Sequence, residues 1–454
     1  MEEKEQKILD FMKNEDYVPM KAKEIAMLMR VPKNEYNNFL EIIGKLELEL
    51  KIQKNRKNRY RISEKTYYEG YYRKNQKGFG FVKIEEQEDE IYISKENSLN
   101  ALNGDRVLIE IVEESNKVKK AEGKIIKVLK HEKDTVVGIF QNNKTFGFVV
   151  PDDKNFGTDI YISKKNSLKA KDGQKVVVEI TKLPKADKSA EGDIVEIIGN
   201  INQAGVDMIS LIKEYDLPYE FPELVIKEAK NVSGSLNLEN KNNFEHDLNR
   251  RDLREEEIFT IDGEDAKDLD DAVNVKKLKN GDYVLGVHIA DVSNYVKSGS
   301  FLDKEAILRG TSIYMLDRVI PMLPVELSNG ICSLNAGEDR FAISCVMEID
   351  GAGKVISADI FKSIINVKER MSYTDVQKIL DKSDETVLKR YDKYAEHFKL
   401  MGKLAKILKS RRNKDGSLNL NIPETKVVLD KNGYAIDIKK YELYFANEII
   451  EQFM

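Results

Sequence analysis

The sequence predicts a multidomain chain: a small helical unit ending in a basic hairpin, two all-β barrels in tandem, then a mixed α/β domain. Three observations carry that prediction. A pattern of short strands occurs twice at an offset of 67 to 69 residues, helical periodicity dominates the first 62 residues, and strand and helix patterns alternate after residue 251. A length of 454 residues suits three or four domains.

In the first unit, residues 1–62, apolar positions mark three helices. They are Ile8, Leu9, Phe11 and Met12; Ala22, Ile25, Ala26 and Met29; and Tyr36, Phe39, Leu40, Ile43 and Leu46. The stretch Leu50–Ile62 then alternates around Asn-rich turn signals, as a hairpin does. Three helices and a basic hairpin outline a winged helix, a unit that binds DNA, RNA or protein and so says little about function. Between Lys51 and Asn75 there are nine Lys/Arg against two Glu, interleaved with Tyr60, Tyr67, Tyr68, Tyr71 and Tyr72. Basic residues mixed with aromatics suit a nucleic-acid surface, though a solvated linker with core tyrosines has the same composition.

The repeat follows. Gly78-Phe-Gly-Phe-Val82 returns as Thr145-Phe-Gly-Phe-Val149, and Ile91-Tyr-Ile-Ser-Lys95 as Ile160-Tyr-Ile-Ser-Lys164. Asn103-Gly-Asp-Arg-Val107 likewise parallels Asp172-Gly-Gln-Lys-Val176. A period this long means tandem domains rather than a solenoid. Their punctuation by Gly, Asn and Asp predicts small barrels over 67–130 and 134–199. Phe79 and Phe81, like Phe146 and Phe148, are two apart and so share a strand face. With Tyr92 and Tyr161 they form two candidate platforms for stacking bases, and the intervening glycine is expected to leave the opposite face bare.

Residues 200–250 read as a connector, with Pro218, Pro222 and a polar run at Asn231–Asn243. Beyond it, Val284–Ala290 has the pattern of a buried strand. Val387, Tyr391, Tyr394, Phe398, Met401, Ala405 and Leu408 line one face of a single long helix.

The most informative segment is Thr260–Val273, which packs Asp262, Glu264, Asp265, Asp268, Asp270 and Asp271 into ten residues. Carboxylates this dense raise one another's pKa unless a cation neutralises them. A solvated acidic loop remains one reading. An EF-hand fails, because its turn glycine would fall on Val273 or its third ligand on Ala266. A Mg²⁺ site, with Mn²⁺ as the alternative, fits hard oxygen donors, and two such ions hydrolyse phosphodiesters. The chain has no phosphate loop of the Walker type, no H-E-x-x-H and no G-x-S-x-G.

The repeats closely resemble cold-shock domains, OB-fold barrels that bind single-stranded RNA or DNA. Taken with Asp262-Gly-Glu-Asp-Ala-Lys-Asp-Leu-Asp-Asp-Ala-Val273, His288–Ser293, Arg309–Tyr314, Arg318–Pro324 and Leu327–Leu334, the whole chain resembles the RNB family of exoribonucleases. That resemblance implies an RNB catalytic domain over 251–454 and processive 3′→5′ hydrolysis of single-stranded RNA to nucleoside 5′-monophosphates. It implies that Asp262, Asp268, Asp270 and Asp271 hold the metal, with Asp270 and Asp271 catalytic and Asp270 the residue whose loss abolishes turnover while sparing binding. It further implies that Tyr314 stacks on the 3′-terminal bases and that Glu451 contacts the terminal ribose. Two departures stand out. The family's aromatic clamp is replaced by Leu420 in Gly416-Ser-Leu-Asn-Leu420, and the family's catalytic arginine and S1 domain have no counterpart before Met454, so the catalytic domain is expected to be C-terminally truncated.

The composition is 34% charged and 41% hydrophobic, with a net charge of −5 that does not preclude a polyanion partner, since distribution matters more than the sum. No run nears the ~20 apolar residues of a membrane span, and two cysteines cannot make a disulfide framework. A cytoplasmic location is therefore expected. The alternative function is a non-catalytic single-stranded RNA-binding protein, resting on the barrels and the basic run alone.

Overall fold

The computed structural model describes residues 2–14, 16–55, 57–63, 66–85, 89–113, 120–184, 188–235, 250–418, 420 and 422–454. Arg56, Lys65, Asn419 and the part of the polar run from Leu236 to Asn243 lie outside them. The chain divides into two compact units, Met1–Asp216 and Leu217–Met454.

The first unit opens with helices Glu2–Lys13, Ala22–Leu28 and Tyr36–Leu48, followed by the antiparallel hairpin β1 (Ile52–Lys54) and β2 (Tyr60–Ile62). Ile8, Met12, Ile25, Phe39, Ile43, Leu46 and Ile52 form its core. Two closed five-stranded barrels come next. The first comprises β3 (Tyr68–Lys74), β4 (Gly80–Lys83), β5 (Ile91–Ile93), β6 (Arg106–Glu113) and β7 (Glu122–Lys130). The second comprises β8 (Thr135–Asn142), β9 (Phe146–Pro151), β10 (Ile160–Ser163), β11 (Gln174–Lys182) and β12 (Ala190–Asn200). Both close through a parallel pairing, β5 with β7 and β10 with β12, so the sequence repeat is a repeat of topology.

The stretch read as a connector holds two helices, Val206–Glu214 and Glu223–Ser235. Val206 and Ile212 of the first are buried. Val225 and Ala229 of the second join a core with Tyr295, Leu302, Leu327 and Phe341 of the C-terminal unit.

That unit is built on β13 (Arg251–Asp252), β14 (Ile258–Asp262), β15 (Asp271–Lys277), β16 (Tyr283–Ala290), β19 (Asp339–Ile349) and β20 (Val355–Ser372). Between β16 and β19 lie the helix Phe301–Arg309 and a short hairpin, β17 (Ile313–Tyr314) with β18 (Val319–Ile320). The 18-residue β20 pairs antiparallel with β19 over most of its length and parallel with β14 at its end, so the sheet curls until its ends meet. Phe259, Ile261, Val273, Val275, Tyr283 and Leu285 face helices Tyr373–Asp381, Ala395–Lys414 and Phe445–Phe453. The single long helix expected over Val387–Leu408 is interrupted. Glu385–Arg390 ends before a 3₁₀ turn at Asp392–Tyr394, and Ala395–Lys414 starts a new helix. Tyr391, Tyr394, Phe398, Met401 and Ala405 are all buried nonetheless, because a turn of three residues keeps the same face inward. A last exposed hairpin, β21 (Thr425–Leu429) with β22 (Ala435–Lys440), precedes the final helix.

Candidate functional site: an acidic loop and two aromatic platforms

Asp262 ends β14 and Asp271 starts β15, and the two strands are antiparallel partners through Phe259 and Val273. The eight residues between them are tied down at several points. Arg370 Nη2 donates to the carbonyls of Gly263 (3.1 Å), Glu264 (2.8 Å) and Ala266 (2.9 Å). Ser333 Oγ, fully buried, accepts from Leu269 N (3.1 Å) and donates to Lys267 O (2.9 Å). Leu334 N donates to Leu269 O (2.8 Å), and the Leu269 side chain is buried beneath the loop. Asp270 is thereby delivered beside the end of β16, where its carbonyl accepts from Ala290 N at 3.0 Å.

The charges of the aspartates interact. Burial pushes the Asp262 carboxyl up to about 7, reinforced by Asp271, Asp268 and Asp270 and opposed by Arg370. Asp270 is raised by partial burial and then by Asp268 and Asp271, and Asp271 is raised by burial. Asp262 Oδ2 is buried with no hydrogen-bond partner. Among the described residues, however, no three Asp, Glu, His or Cys side chains form a ready-made cluster around one point. The expected gathering of four aspartates is thus a shared field with an open geometry. All-oxygen donors, an orphaned buried carboxylate oxygen and mutual repulsion fit a divalent ion that takes few protein ligands and completes its shell with water and phosphate. Burial and then Asp270 push the Cys332 thiol up to about 12, so it keeps its proton at neutral pH.

Tyr314 stands on β17, 66% exposed, and its hydroxyl donates to Asp268 Oδ2 at 2.5 Å. That bond, then burial, raises the phenol to about 12. Its loop is anchored by Arg309, buried at the end of the helix Phe301–Arg309. The guanidinium binds Glu305 (2.8 Å), Pro321 O (3.1 Å) and Glu220 O (2.7 Å), and lies 3.5 Å from the Phe221 ring centroid. Gly310, at φ 72°, turns the chain from that helix toward Tyr314. Glu451 is exposed on the last helix, and among the described residues no hydrogen bond or ion pair joins it to the aspartates. Leu420 is 78% exposed.

A cavity of about 390 Å³ opens between the acidic loop and the β21–β22 hairpin, lined in part by Tyr373, Lys426, Lys439, Tyr441 and Tyr444. Lys426 Nζ lies 3.6 Å from Asp265. The sequence reading missed this hairpin, Arg370 and Ser333. Only Ser333 lay inside a stretch already singled out.

Phe79, Phe81 and Tyr92 meet as a half-exposed triad with ring centroids 5.7–6.0 Å apart. Phe146, Phe148 and Tyr161 repeat it at 5.4–6.0 Å. Lys120 Nζ and Arg73 Cζ sit 5.5 and 6.0 Å from the Phe81 ring. The face behind each platform is not bare, as the glycine suggested. A methyl on Gly80 would run into the buried ring of Tyr72, and one on Gly147 into that of Phe140. The glycines are there because an interior aromatic occupies the space.

Two closed barrels followed in sequence by a curled sheet bearing an acidic loop are parts that known proteins share. Residues 250–454 match the RNB domain model, 148–222 the cold shock domain and 70–128 the ribonuclease B OB domain. Ribonuclease R of Thermotoga maritima is 40% identical over 98% of this chain and 62% of its own length. Ribonuclease R 1 of Lactococcus lactis is 37% identical over 98% of this chain and 56% of its own. The structure of Mycoplasma genitalium RNase R in complex with ribose methylated single-stranded RNA superposes with a TM-score of 0.76 at 26% identity, covering 85% of this chain and 60% of that one. Residues 250–454 are thus an RNB domain, and the chain spans about three fifths of the length of these ribonuclease R relatives.

Proposed function

We propose that this chain belongs to a divalent-metal-dependent 3′→5′ exoribonuclease that hydrolyses single-stranded RNA processively to nucleoside 5′-monophosphates. One observation carries the reading: Asp262, with an unpartnered buried oxygen and a carboxyl pushed up to about 7, among Asp268, Asp270 and Asp271. Those four residues would hold Mg²⁺, or Mn²⁺ in its place. A bound ion supplies an activated water and stabilises the leaving oxygen of the phosphodiester.

The chain's own residues do the rest. The triads Phe79/Phe81/Tyr92 and Phe146/Phe148/Tyr161 stack bases without reading sequence, which suits an enzyme that must accept every nucleotide in turn. Tyr314, tethered through its hydroxyl to Asp268, presents an exposed ring to the terminal base beside the carboxylates. Glu451 contacts the terminal ribose. Within this assignment the domains are 1–62 (winged helix), 67–130 and 134–199 (cold-shock barrels) and 251–454 (RNB). The three helices and the hairpin of the first unit support the winged-helix reading. A cytoplasmic location accords with two free cysteines, and among the described residues no helix is long and apolar enough to cross a membrane.

The test incubates the chain with 3′-labelled single-stranded RNA and Mg²⁺. Release of labelled mononucleotide supports the enzyme, and Asp270→Asn then abolishes that release while retaining the gel shift. A shift without product from the unsubstituted chain favours the RNA-binding alternative.

A further inference from the structure

We propose that Arg370 is the positioning residue of the acidic loop, holding its first half so that Asp262 and the aspartates beyond it address the same ion. The inference rests on the metal-site reading and adds to it a residue remote in sequence. β20 runs parallel to β14 with Thr260 opposite Arg370 and Asp262 opposite Ser372, so the guanidinium emerges beside the point where the chain leaves β14. From there a single nitrogen, Nη2, reaches three main-chain carbonyls, those of Gly263, Glu264 and Ala266. The nitrogen carries two hydrogens, so three oxygens within 3.1 Å must share them, and the backbone has to curl around it. Such bonds, with a charged donor, are the stronger kind.

The second half of the loop is held independently, by Ser333 and Leu334. Loss of Arg370 therefore releases residues 263–266 and leaves 267–270 in place. It also removes a cation that offsets the repulsion of the neighbouring carboxylates at Asp262. Ordinary destabilisation of the sheet would not divide the loop in this way.

The experiment compares wild type, Arg370→Met and Arg370→Lys by amide hydrogen exchange without metal, then by Mn²⁺ titration followed by electron paramagnetic resonance. In Arg370→Met the amides of residues 264–266 are expected to exchange at least ten-fold faster, with those of β15 and β16 unchanged. Its Mn²⁺ affinity falls at least ten-fold, while labelled single-stranded RNA still binds as before in EDTA. Arg370→Lys, which keeps the charge and three donors, recovers most of both losses. Unchanged exchange and Mn²⁺ affinity in Arg370→Met overturn the proposal, and so does faster exchange spread evenly over the sheet. If wild type binds Mn²⁺ no better than Asp270→Asn, the metal reading fails. The exchange rates of residues 264–266 then decide alone whether Arg370 pins the loop.

Discussion

Phe148 and Phe140 sit back to back in the second barrel, one ring on the outer platform and one in the core, and they separate binding from stability. Gln141 pairs with Phe148 and Phe140 with Val149 across β8 and β9. Phe140 is 1% exposed and packs with Val149, Ile160, Ile162 and Val176, whereas Phe148 is half-exposed against Phe146 and Tyr161. Truncating a buried phenylalanine costs about 3–5 kcal/mol. Phe140→Ala should therefore melt the barrel well below the wild-type temperature. Phe148→Ala leaves the core intact but removes a stacking surface worth ~1–3 kcal/mol per base, a roughly 5- to 150-fold loss of affinity. The assay is fluorescence anisotropy with labelled single-stranded RNA at several salt concentrations, beside a thermal melt. No charge is removed, so the slope of log affinity against log salt should match wild type. A loss under two-fold in a variant that melts normally would refute the platform, as would a changed slope.

Acidification tests the core of the C-terminal unit. His288 is buried, with Nδ1 2.7 Å from Ser344 Oγ, and burial pushes its pKa down to about 4. Against an unfolded value of about 6.5, the unfolded chain takes up a proton that the folded chain refuses. This stability is intact above about pH 6.5 and falls as pH drops, by about 2–3 kcal/mol at pH 4.5. Urea midpoints at pH 7.5 and 4.5 should show the gap between wild type and His288→Gln narrowing by that amount; a constant gap contradicts it. The Arg250–Asp291 pair, 2.6 Å apart with both side chains fully buried, gives a larger effect. Asp291→Asn takes the carboxylate from a buried guanidinium and is expected to cost about 3–5 kcal/mol in urea unfolding. A cost under 1 kcal/mol would mean that the charge is not needed there.

What could be read from the sequence was local or repeated. Two copies of one strand pattern declare two barrels, and six acidic residues in ten declare an unusual loop. The break at Asp392–Tyr394 was invisible because the apolar spacing runs through it unbroken. Gly80 and Gly147 misled because a missing side chain does not say what fills its place. Arg370 could not be found at all: its partners are main-chain carbonyls 104 to 107 residues away, and main-chain carbonyls leave no mark on residue identity. The openness of the aspartate cluster was likewise unreadable, since spacing along a chain says nothing about where side chains point.

The parallel ladder between β14 and the end of β20 also sets a timetable. On the ribosome, the segment bearing Asp262 emerges and then waits for the strand that must lie beside it, more than a hundred residues downstream. At ordinary elongation rates of about 5–20 residues per second, that is a delay of roughly 5–20 s. Until then the first half of the acidic loop has no Arg370 to curl around. The barrels, whose strands pair over short separations, can close first, so both aromatic platforms are complete before the acidic loop takes its shape.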